Sequence, residues 1–391
     1  MKLIVIGFGQ CGGRIADQFA RINSKAKMMR GTEITPGVFA VNTDTADLSG
    51  LTEISSDYRH RILIGGRKTA GHGVGKINDL AAELAKEDAD KVVEAIRSAK
   101  HTYEADAFLL IASAGGGTGS GSIPVLTQHI KNRYGDKPVY NLIVLPFEHE
   151  EVTEERTIHN TAVCLKSVNS VADAVILIDN QRFVKKDCSP VKNIIKINEL
   201  IVEPFYTLLC AGEEKKAKHI GAKLLDAGDI MQTLTGWTVI GHGQSELPLI
   251  SNPFQRKSNF RAKSSESAKG MCAMDEALSE LSLTCNPADA SRALYLVSAP
   301  AADMNMNLVK ELGQYLRGMC PEATIRNGDY PRGRGAIQVT VLLSGLSNIE
   351  KVREYYLRST SLIPEFERRQ TRIEDRLREL EKTGEAVPSL V

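Results

Sequence analysis

The feature that most constrains this chain is a run of glycines that directly follows a run of apolar residues. Residues 107–111 are all apolar, and residues 112–121 read ASAGGGTGSG before a helical pattern begins. Because glycine has no Cβ, successive backbone N–H groups can converge on an anion. The helix that follows adds the positive end of its dipole. The sequence therefore predicts a phosphate cradle and a nucleotide ligand, with further hydroxyl donors from Thr118, Ser120 and Ser122.

The first half of the chain alternates short apolar runs with helical patterns, which predicts a doubly wound α/β fold. Strands that are almost continuously apolar form a parallel sheet covered on both faces, and ligands of such sheets bind at the carboxyl ends of the strands. The predicted strands are Lys2–Ile6, Val38–Val41, Arg61–Ile64, Ala107–Ile111, Val139–Leu145 and Ala174–Ile178. The predicted helices are Cys11–Asn23, Ile77–Ser98, Gly119–Tyr134 and Val152–Ser170.

The second half of the chain has a different pattern of apolar and polar residues. A long apolar pattern from Val191 to about Ala211 predicts a central helix, with a kink or break near Pro204. Residues 251–270 are polar and basic, which predicts a mobile loop. The elements predicted after it are helices near Met274–Leu283 and Met304–Met319, strands at Ala293–Ser298 and Ala336–Leu343, and a solvated Glu- and Arg-rich helix at Glu365–Lys382.

These patterns predict a nucleotide-binding domain with a doubly wound parallel sheet, a long central helix and a second, smaller α+β domain. The predicted limits are 1–189 for the nucleotide-binding domain, 190–213 for the central helix, 214–364 for the second domain and 365–391 for the charged helix and tail.

Composition excludes several classes of protein. The 391 residues carry a net charge of +1, so no basic field indicates nucleic acid or an anionic membrane. The N-terminus is too short and too glycine-rich for a signal peptide, and the longest uncharged stretch, 107–128, has too many glycines to predict a transmembrane segment. Seven scattered cysteines without a CxxC pair predict reduced thiols and a cytoplasmic protein.

Two further loops follow the first two predicted strands. Gly7, Gly9 and Gly12 satisfy G-x-G-x-x-G, the dinucleotide fingerprint, although a tight structural turn has the same spacing. The acid expected near the end of the second strand comes late, in Asn42-Thr43-Asp44. That turn suits ribose, phosphate or Mg²⁺, and equally a simple Asx turn.

A glycine-rich loop also follows the third predicted strand, at residues 65–76. Its glycines, including Gly71 and Gly73, suit contact with terminal phosphates, and Lys68 or Lys76 could neutralise charge. A flexible surface loop is the alternative. The loop at 115–121 lacks the spacing and the lysine of a P-loop, so it is not a Walker A site.

Three glycine loops and an Asn-Thr-Asp turn exceed what a dinucleotide needs, and they resemble the tubulin/FtsZ superfamily of GTPases. GGGTGSG at 115–121 is similar to the signature loop of that family, and the resemblance extends along nearly the whole chain. Gln10-Cys11-Gly12 resembles the tubulin form of the first loop, and 41–44 the FtsZ form of the second. The combination, with LPFEHEE at 145–151, is most similar to the archaeal CetZ group.

The resemblance implies GTP/GDP and Mg²⁺ as cofactors and assigns site residues. The residues that it places around phosphates and sugar are Gly9, Gln10, Cys11, Gly12, Asn42, Asp44, Gly71, Gly73, Gly115, Gly116, Gly117, Thr118, Gly119, Ser120 and, within 148–151, Glu150 as the best sugar-binding acid. It places Asn180 and Asn198 against guanine and Ile194 over the purine. The FEGxxR pattern of the family is absent, which leaves Arg156 as a weak candidate for its arginine. No residue is assigned to the metal.

An acidic pair completes the resemblance. Asp226 and Asp229 match the synergy loop N-x-D-x-x-D, with Leu224 in place of its asparagine; without that context they would be a solvated helix start. The resemblance implies that they are catalytic, polarising water in the next subunit of a head-to-tail filament. Self-association is thus the implied partnership, and membrane-anchoring adaptor proteins are also compatible with the family.

The sequence leaves three functional hypotheses, in order of how many of its motifs each one explains. The first is an assembly-dependent GTPase filament of CetZ type with a role in cell shape. The first alternative is an FtsZ-type division-ring protein, which the absence of an evident hydrophobic tail peptide in 383–391 disfavours. The second is an NAD-dependent oxidoreductase built on Gly7–Gly12, which would leave GGGTGSG and DAGD without a purpose.

Overall fold

Within the residues that the structure describes, one mixed sheet of ten strands organises the fold. The computed structural model describes residues 1–99, 101–184, 190–216, 219–247, 260–301, 303–304, 306–332, 335–385 and 387. The strands are β1 (Leu3–Phe8), β2 (Gly37–Asn42), β3 (Arg61–Leu63), β4 (Ala107–Ser113), β5 (Val139–Leu145), β6 (Ala174–Asp179), β7 (Gly236–Glu246), β8 (Arg292–Pro300), β9 (Thr324–Arg332) and β10 (Ala336–Leu346). Their order is β3-β2-β1-β4-β5-β6-β7-β10-β8-β9.

The helices lie between and around these strands. They are α1 (Gly9–Arg30), α2 (Thr45–Ser49), α3 (Gly66–Thr69), α4 (Asn78–Glu87), α5 (Ala89–Ser98), α6 (Thr118–Arg133), α7 (Glu148–Thr153), α8 (Glu155–Val171), α9 (Pro190–Ala211), α10 (Ala227–Thr233), α11 (Phe260–Ser279), α12 (Met306–Met319) and α13 (Glu350–Gly384). Within the described ranges, no helix is long and apolar enough to cross a bilayer.

The first six strands form the predicted parallel sheet, and helices bury both of its faces. In β1, Leu3 and Val5 pack with α1 and α9, whereas Ile4 and Ile6 pack with the side of α5, α6 and α8. This alternation explains why the strands read as continuous apolar runs. The predicted doubly wound fold is confirmed, and all the predicted strands of this half are present.

The second half continues the same sheet. β7 pairs in parallel with β6 through Ala174 and Gly236, and β10 and β8 then add in antiparallel fashion. The predicted strands and helices of this half are found, and α13 runs through residue 364 without interruption. The predicted domain limits stay predictions.

Several sequence-based expectations were wrong in detail. The helix predicted over Ile77–Ser98 is divided at Asp88, whose carboxylate accepts the Gly65 amide proton at 2.7 Å. Of the kink or break expected near Pro204, the break is absent, because α9 continues through this residue to Ala211. Residues 260–270 belong to α11 and not to a loop, and 251–259 lie outside the described residues.

Two strands were missed. β7 contains Gly241 and Gly243, where a Cβ would lie 2.0 and 2.1 Å from backbone oxygens of α11, so these glycines permit close helix–sheet packing. β9 is an edge strand that contains an Asn-Gly-Asp sequence and Pro331, residues that disfavour a strand elsewhere.

Candidate functional site

The first glycine loop lies where β1 passes into α1. A Cβ on Gly12 would lie 2.1 Å from the carbonyl oxygen of Ile111, so only glycine lets the start of α1 pack against β4. Gly9 has a φ of +67°, and its missing Cβ would lie 3.1 Å from the backbone nitrogen of Gly119. The loops after β1 and β4 therefore meet at the same edge of the sheet.

The loop after β4 is clamped on one side and open on the other. A Cβ on Gly117 would lie 2.7 Å from the Lys76 Cα, whereas a Cβ on Gly116 would meet nothing within 4 Å. The Ser120 hydroxyl donates to the carbonyls of Gly116 and Gly117, so it shapes the loop from within. The open side at Gly116 leaves room for an anion.

One expectation about this loop is corrected. Ser120 and Ser122 are buried, and the Ser122 hydroxyl donates to Ala81 O at 3.5 Å. Their hydroxyls therefore donate to carbonyl groups inside the protein, and the assignment of Ser120 to the nucleotide stays a prediction. Thr118 differs, because its hydroxyl lies 2.7 Å from the hydroxyl of Thr43 and joins the loops after β4 and β2.

Backbone hydrogen bonds join the loop after β3 to the turn after β2. Thr45 N donates to Gly71 O at 3.0 Å, and Gly73 N donates to Thr43 O at 3.1 Å. Gly71 and Gly73 have φ angles of +79° and +78°, a conformation that side chains disfavour. All the predicted phosphate-side loops thus share one edge.

A carboxylate that sequence reasoning missed organises the polar side chains of this edge. Asp47 accepts hydrogen bonds from Gln10 Nε2 at 2.6 Å and from Asn42 Nδ2 at 3.1 Å. Asp44 caps α2, and one of its oxygens accepts the amide protons of Ala46 and Asp47. Asp47 lies three residues after Asp44, as a second acid on the first turn of α2, and that spacing was the available signal.

Asn160 is a second residue that was missed, and it holds two loops together. It is fully buried, and its Nδ2 lies 3.0 Å from Lys76 O and 3.1 Å from Gly116 O. Arg156 Nε donates to Lys76 O at 3.1 Å, and the Lys76 ammonium pairs with Glu154. No local pattern marks Asn160, because its partners are far away in sequence.

The acid assigned to the sugar, Glu150, lies beside the first loop. Burial raises the pKa of the Cys11 thiol to about 12, and the nearby Glu150 carboxylate adds to that shift. Glu150 also accepts the amide proton of Phe147 at 2.9 Å. Its neighbour Glu151 is buried and binds Tyr355 and Arg358 of α13 instead. Of these two acids, only Glu150 is placed next to the loops.

The three residues assigned to the base lie on neighbouring elements. Asn180 directly follows β6, in a short turn that contacts α9. Asn180 and Asn198 are 9% and 7% exposed, and Ile194, one turn before Asn198 on α9, is half-buried. The amide groups can each donate and accept a hydrogen bond, as guanine requires.

The acidic pair lies at the opposite edge of the sheet. α10 directly precedes β7, which runs parallel to β6, so α10 lies at the amino ends of the strands. Asp226 caps α10 by accepting the Asp229 amide proton at 2.8 Å. Asp229 pairs with Arg326 at 3.3 Å, and Leu224 is 44% exposed. The loops and the acids therefore belong to different surfaces of one chain.

Among the described residues, no group of three or more His, Cys, Asp or Glu side chains could hold a metal ion.

Two family models cover most of the chain. The GTPase domain of the tubulin/FtsZ family matches residues 2–186, and the C-terminal domain of tubulin-like CetZ matches residues 191–360. The tubulin-like protein CetZ1 of Haloferax volcanii is 33% identical over 370 residues, which is 90% of each chain.

Solved structures agree. CetZ1 from H. volcanii, a GDP-bound monomer, has a TM-score of 0.79 at 30% identity and covers 92% of this chain and 99% of that one. CetZ2 from the same organism, a GTPγS-bound protofilament, has a TM-score of 0.79 at 28% identity and covers 94% and 100%. With its loops, central helix and C-terminal domain all matched, the chain belongs to the tubulin/FtsZ family of GTPases, in its CetZ group.

Proposed function

We propose that this protein binds GTP at the carboxyl edge of its sheet, assembles head-to-tail, and hydrolyses GTP where two subunits meet. The observation that carries the proposal is the separation of the glycine loops from Asp226 and Asp229 on opposite edges of the sheet. A contact between unlike edges that does not close into a ring forms a filament.

The loops supply what phosphoryl transfer requires. Catalysis of this reaction is mostly positioning and neutralisation of charge. Convergent amides around Gly116 and the N-terminus of α6 would hold the phosphates, and the amides of Asn180 and Asn198 would select guanine. The half-buried Ile194 would cover the purine, and Glu150 would bind the sugar. The structures of the CetZ1 monomer with GDP and the CetZ2 protofilament with GTPγS support a guanine nucleotide.

The residues present fit Mg²⁺. This ion uses one or two carboxylates together with phosphate oxygens and water. One oxygen of Asp44 caps α2, and the other, which lies beside Gly73, would be available together with the Gln10 side-chain oxygen. A bound Mg²⁺ would neutralise phosphate charge.

The acids would act on the nucleotide of a neighbouring subunit. Asp226 is fixed as the cap of α10, and Asp229 is oriented by Arg326, so both carboxylates are held on one exposed turn. There they would orient and polarise water against the terminal phosphate. Hydrolysis would then require assembly.

Mixing two inactive variants tests this arrangement directly. Asp229→Ala keeps the loops intact, and Gly116→Asp places a carboxylate in the open side of the phosphate loop. Each alone should hydrolyse GTP poorly, whereas random mixing should restore about a quarter of the wild-type rate, because one interface in four combines intact halves. A mixture no faster than the sum of its parts would refute an active site shared between subunits.

Two controls accompany the mixing experiment. Asp229→Ala should retain GTP affinity, since it is remote from the loops. Asp226→Asn keeps the helix cap, because Asn caps as well as Asp, and therefore isolates the loss of charge. The rate per subunit of the wild type should also rise steeply with protein concentration; a constant rate would contradict dependence on assembly.

The cellular role that we propose is cell-shape control from the cytoplasm. The match to CetZ1 of H. volcanii extends along both domains at 33% identity, whereas an empty FtsZ dimer from M. jannaschii has a TM-score of 0.65 at 23% identity. An FtsZ-type division ring is the alternative, and imaging in cells separates the two. A thermal shift with GTP or GDP but not NAD would exclude the oxidoreductase alternative. Binding to membrane-anchoring adaptors stays a prediction.

A further inference from the structure

The C-terminal part of α13 stands away from the rest of the described protein. Every described side chain from Thr371 to Glu385 is exposed, whereas Val352 and Tyr355 earlier in α13 are buried in the core. We call residues 363–384 the exposed arm; at 1.5 Å per residue it is about 33 Å long. Isolated helices depend on tertiary contacts for most of their stability, so a partner for the arm is expected.

The apolar residues of the exposed arm form a narrow stripe. Ile373, Leu377 and Leu380 are 58%, 53% and 69% exposed, and Ile363 is 43% exposed. Their spacing fits a heptad with Ile363 and Leu377 at a positions and Ile373 and Leu380 at d positions. Phe366 occupies the remaining d position, and Gln370 and Gly384 occupy the remaining a positions. An a/d stripe is the contact surface of a coiled coil.

The charged residues at the e and g positions, on either side of the apolar stripe, favour a parallel pair of identical helices. The e positions 367, 374 and 381 are all glutamate, and the g positions 369 and 376 are arginine. In a parallel pair, each g residue faces the e residue of the next heptad in the partner, so Arg376 of one copy would face Glu381 of the other. An antiparallel pair would set arginine against arginine and glutamate against glutamate.

Other surfaces are disfavoured by the charge balance. Residues 365–382 contain six basic and six acidic residues. A membrane surface or a nucleic acid would select a helix with an excess of basic residues, and the exposed arm has none.

We propose that the exposed arm of α13 pairs in parallel with the same arm of a second copy of this chain. Three heptads make a weak contact alone, but many arms along a filament would act together through their high local concentration. The arm would therefore tie two filaments side by side. The pairing itself does not require GTP, so it is tested separately from the proposed polymerisation.

Cysteine cross-linking of the full-length protein without nucleotide tests the proposal. Leu380→Cys places a thiol at a d position, and Asp375→Cys places one at an f position on the outer side of the same helix. Under mild oxidation, we expect the first variant to form disulfide dimers at least about tenfold faster than the second. Equal rates would overturn the proposal, and so would a disulfide that forms only between Leu380→Cys and Ile363→Cys, which indicates antiparallel pairing.

Charge reversal tests the selection by Arg376 and Glu381. In the Leu380→Cys background, Arg376→Glu and Glu381→Arg should each slow cross-linking by about tenfold. The double variant, or a mixture of the two single variants, should restore it, because opposite charges then face each other. Cross-linking that does not respond to these changes would overturn the proposal, and circular dichroism verifies that each variant keeps its helix.

Discussion

Asn160 offers a direct test of how the phosphate loops are held. Replacement by alanine removes the hydrogen bonds from Nδ2 to Lys76 O and Gly116 O, at 3.0 and 3.1 Å. Arg156 still donates to Lys76 O, so the larger loss falls on Gly116. At about 1 kcal/mol for each net hydrogen bond, Asn160→Ala should weaken the clamp by about 2 kcal/mol.

The lost clamp should reduce nucleotide affinity. Binding requires the arranged loops, so affinity falls in proportion to the fraction of molecules that keep them arranged. If all of the 2 kcal/mol acts on that equilibrium, the dissociation constant for GDP rises by up to about 30-fold.

Titration with a fluorescent GDP analogue measures this change, and low protein concentration keeps the protein monomeric. Asn169→Ala is the matched control, because Asn169 lies on the same helix and is exposed. We expect the control to bind as the wild type does. If folded Asn160→Ala also binds GDP within about twofold of the wild type, the clamp does not set the loop geometry.

Three further predictions concern packing and titration. Gly121→Ala should lower the free energy of unfolding by about 3 kcal/mol, because its Cβ would lie 2.0 Å from a backbone carbonyl oxygen. Gly318→Ala, whose Cβ would meet nothing within 4 Å, should leave that free energy unchanged or raise it, and urea denaturation measures both. Cys11, with its pKa raised to about 12, should react with iodoacetamide at pH 8 at least about 100-fold more slowly than the exposed Cys272; equal labelling by mass spectrometry would contradict the raised pKa. Burial lowers the pKa of His242, so the unfolded state binds its proton more readily and stability falls as pH drops below about 6.5; His242→Gln should lose that part of the slope between pH 7.5 and 5.5.

The fold of the first half could be predicted from the sequence because it depends on local patterns. Each strand of the first half is an apolar run, and each glycine loop follows directly on such a run, so their common edge follows from the polarity of a parallel sheet. The arrangement of the loops after β1, β2, β3 and β4 could be predicted for the same reason. The apolar pattern at 191–211 and the alternation of helical and strand patterns after it predicted the central helix and the second domain, and these are found.

The tertiary contacts that position the site could not be predicted from local sequence patterns. Asn160 acts on loops 84 and 44 residues away, and nothing in its neighbours in sequence distinguishes it from the exposed Asn169 on the same helix. The prediction for the Ser120 hydroxyl relied on local sequence alone. A hydroxyl in a glycine loop is typical of a ligand donor, but here it donates to the carbonyl of Gly116. Glycines in β7 were misleading because their purpose, the approach of α11, is a tertiary contact.

The distance between the two edges limits how the acids can act. α9 extends from the end of β6 toward the amino ends of the strands, and its 22 residues span about 33 Å. The Met1 ammonium, next to the start of β1, donates to Leu209 O at the far end of that helix. A catalytic carboxylate must lie within hydrogen-bond distance, about 3 Å, of the group on which it acts, or contact that group through one bridging water. If Asp226 and Asp229 serve a nucleotide at the loops, that nucleotide therefore belongs to another copy. Both edges are then used by longitudinal contacts, and only lateral surfaces such as the exposed arm of α13 remain to join one filament to the next.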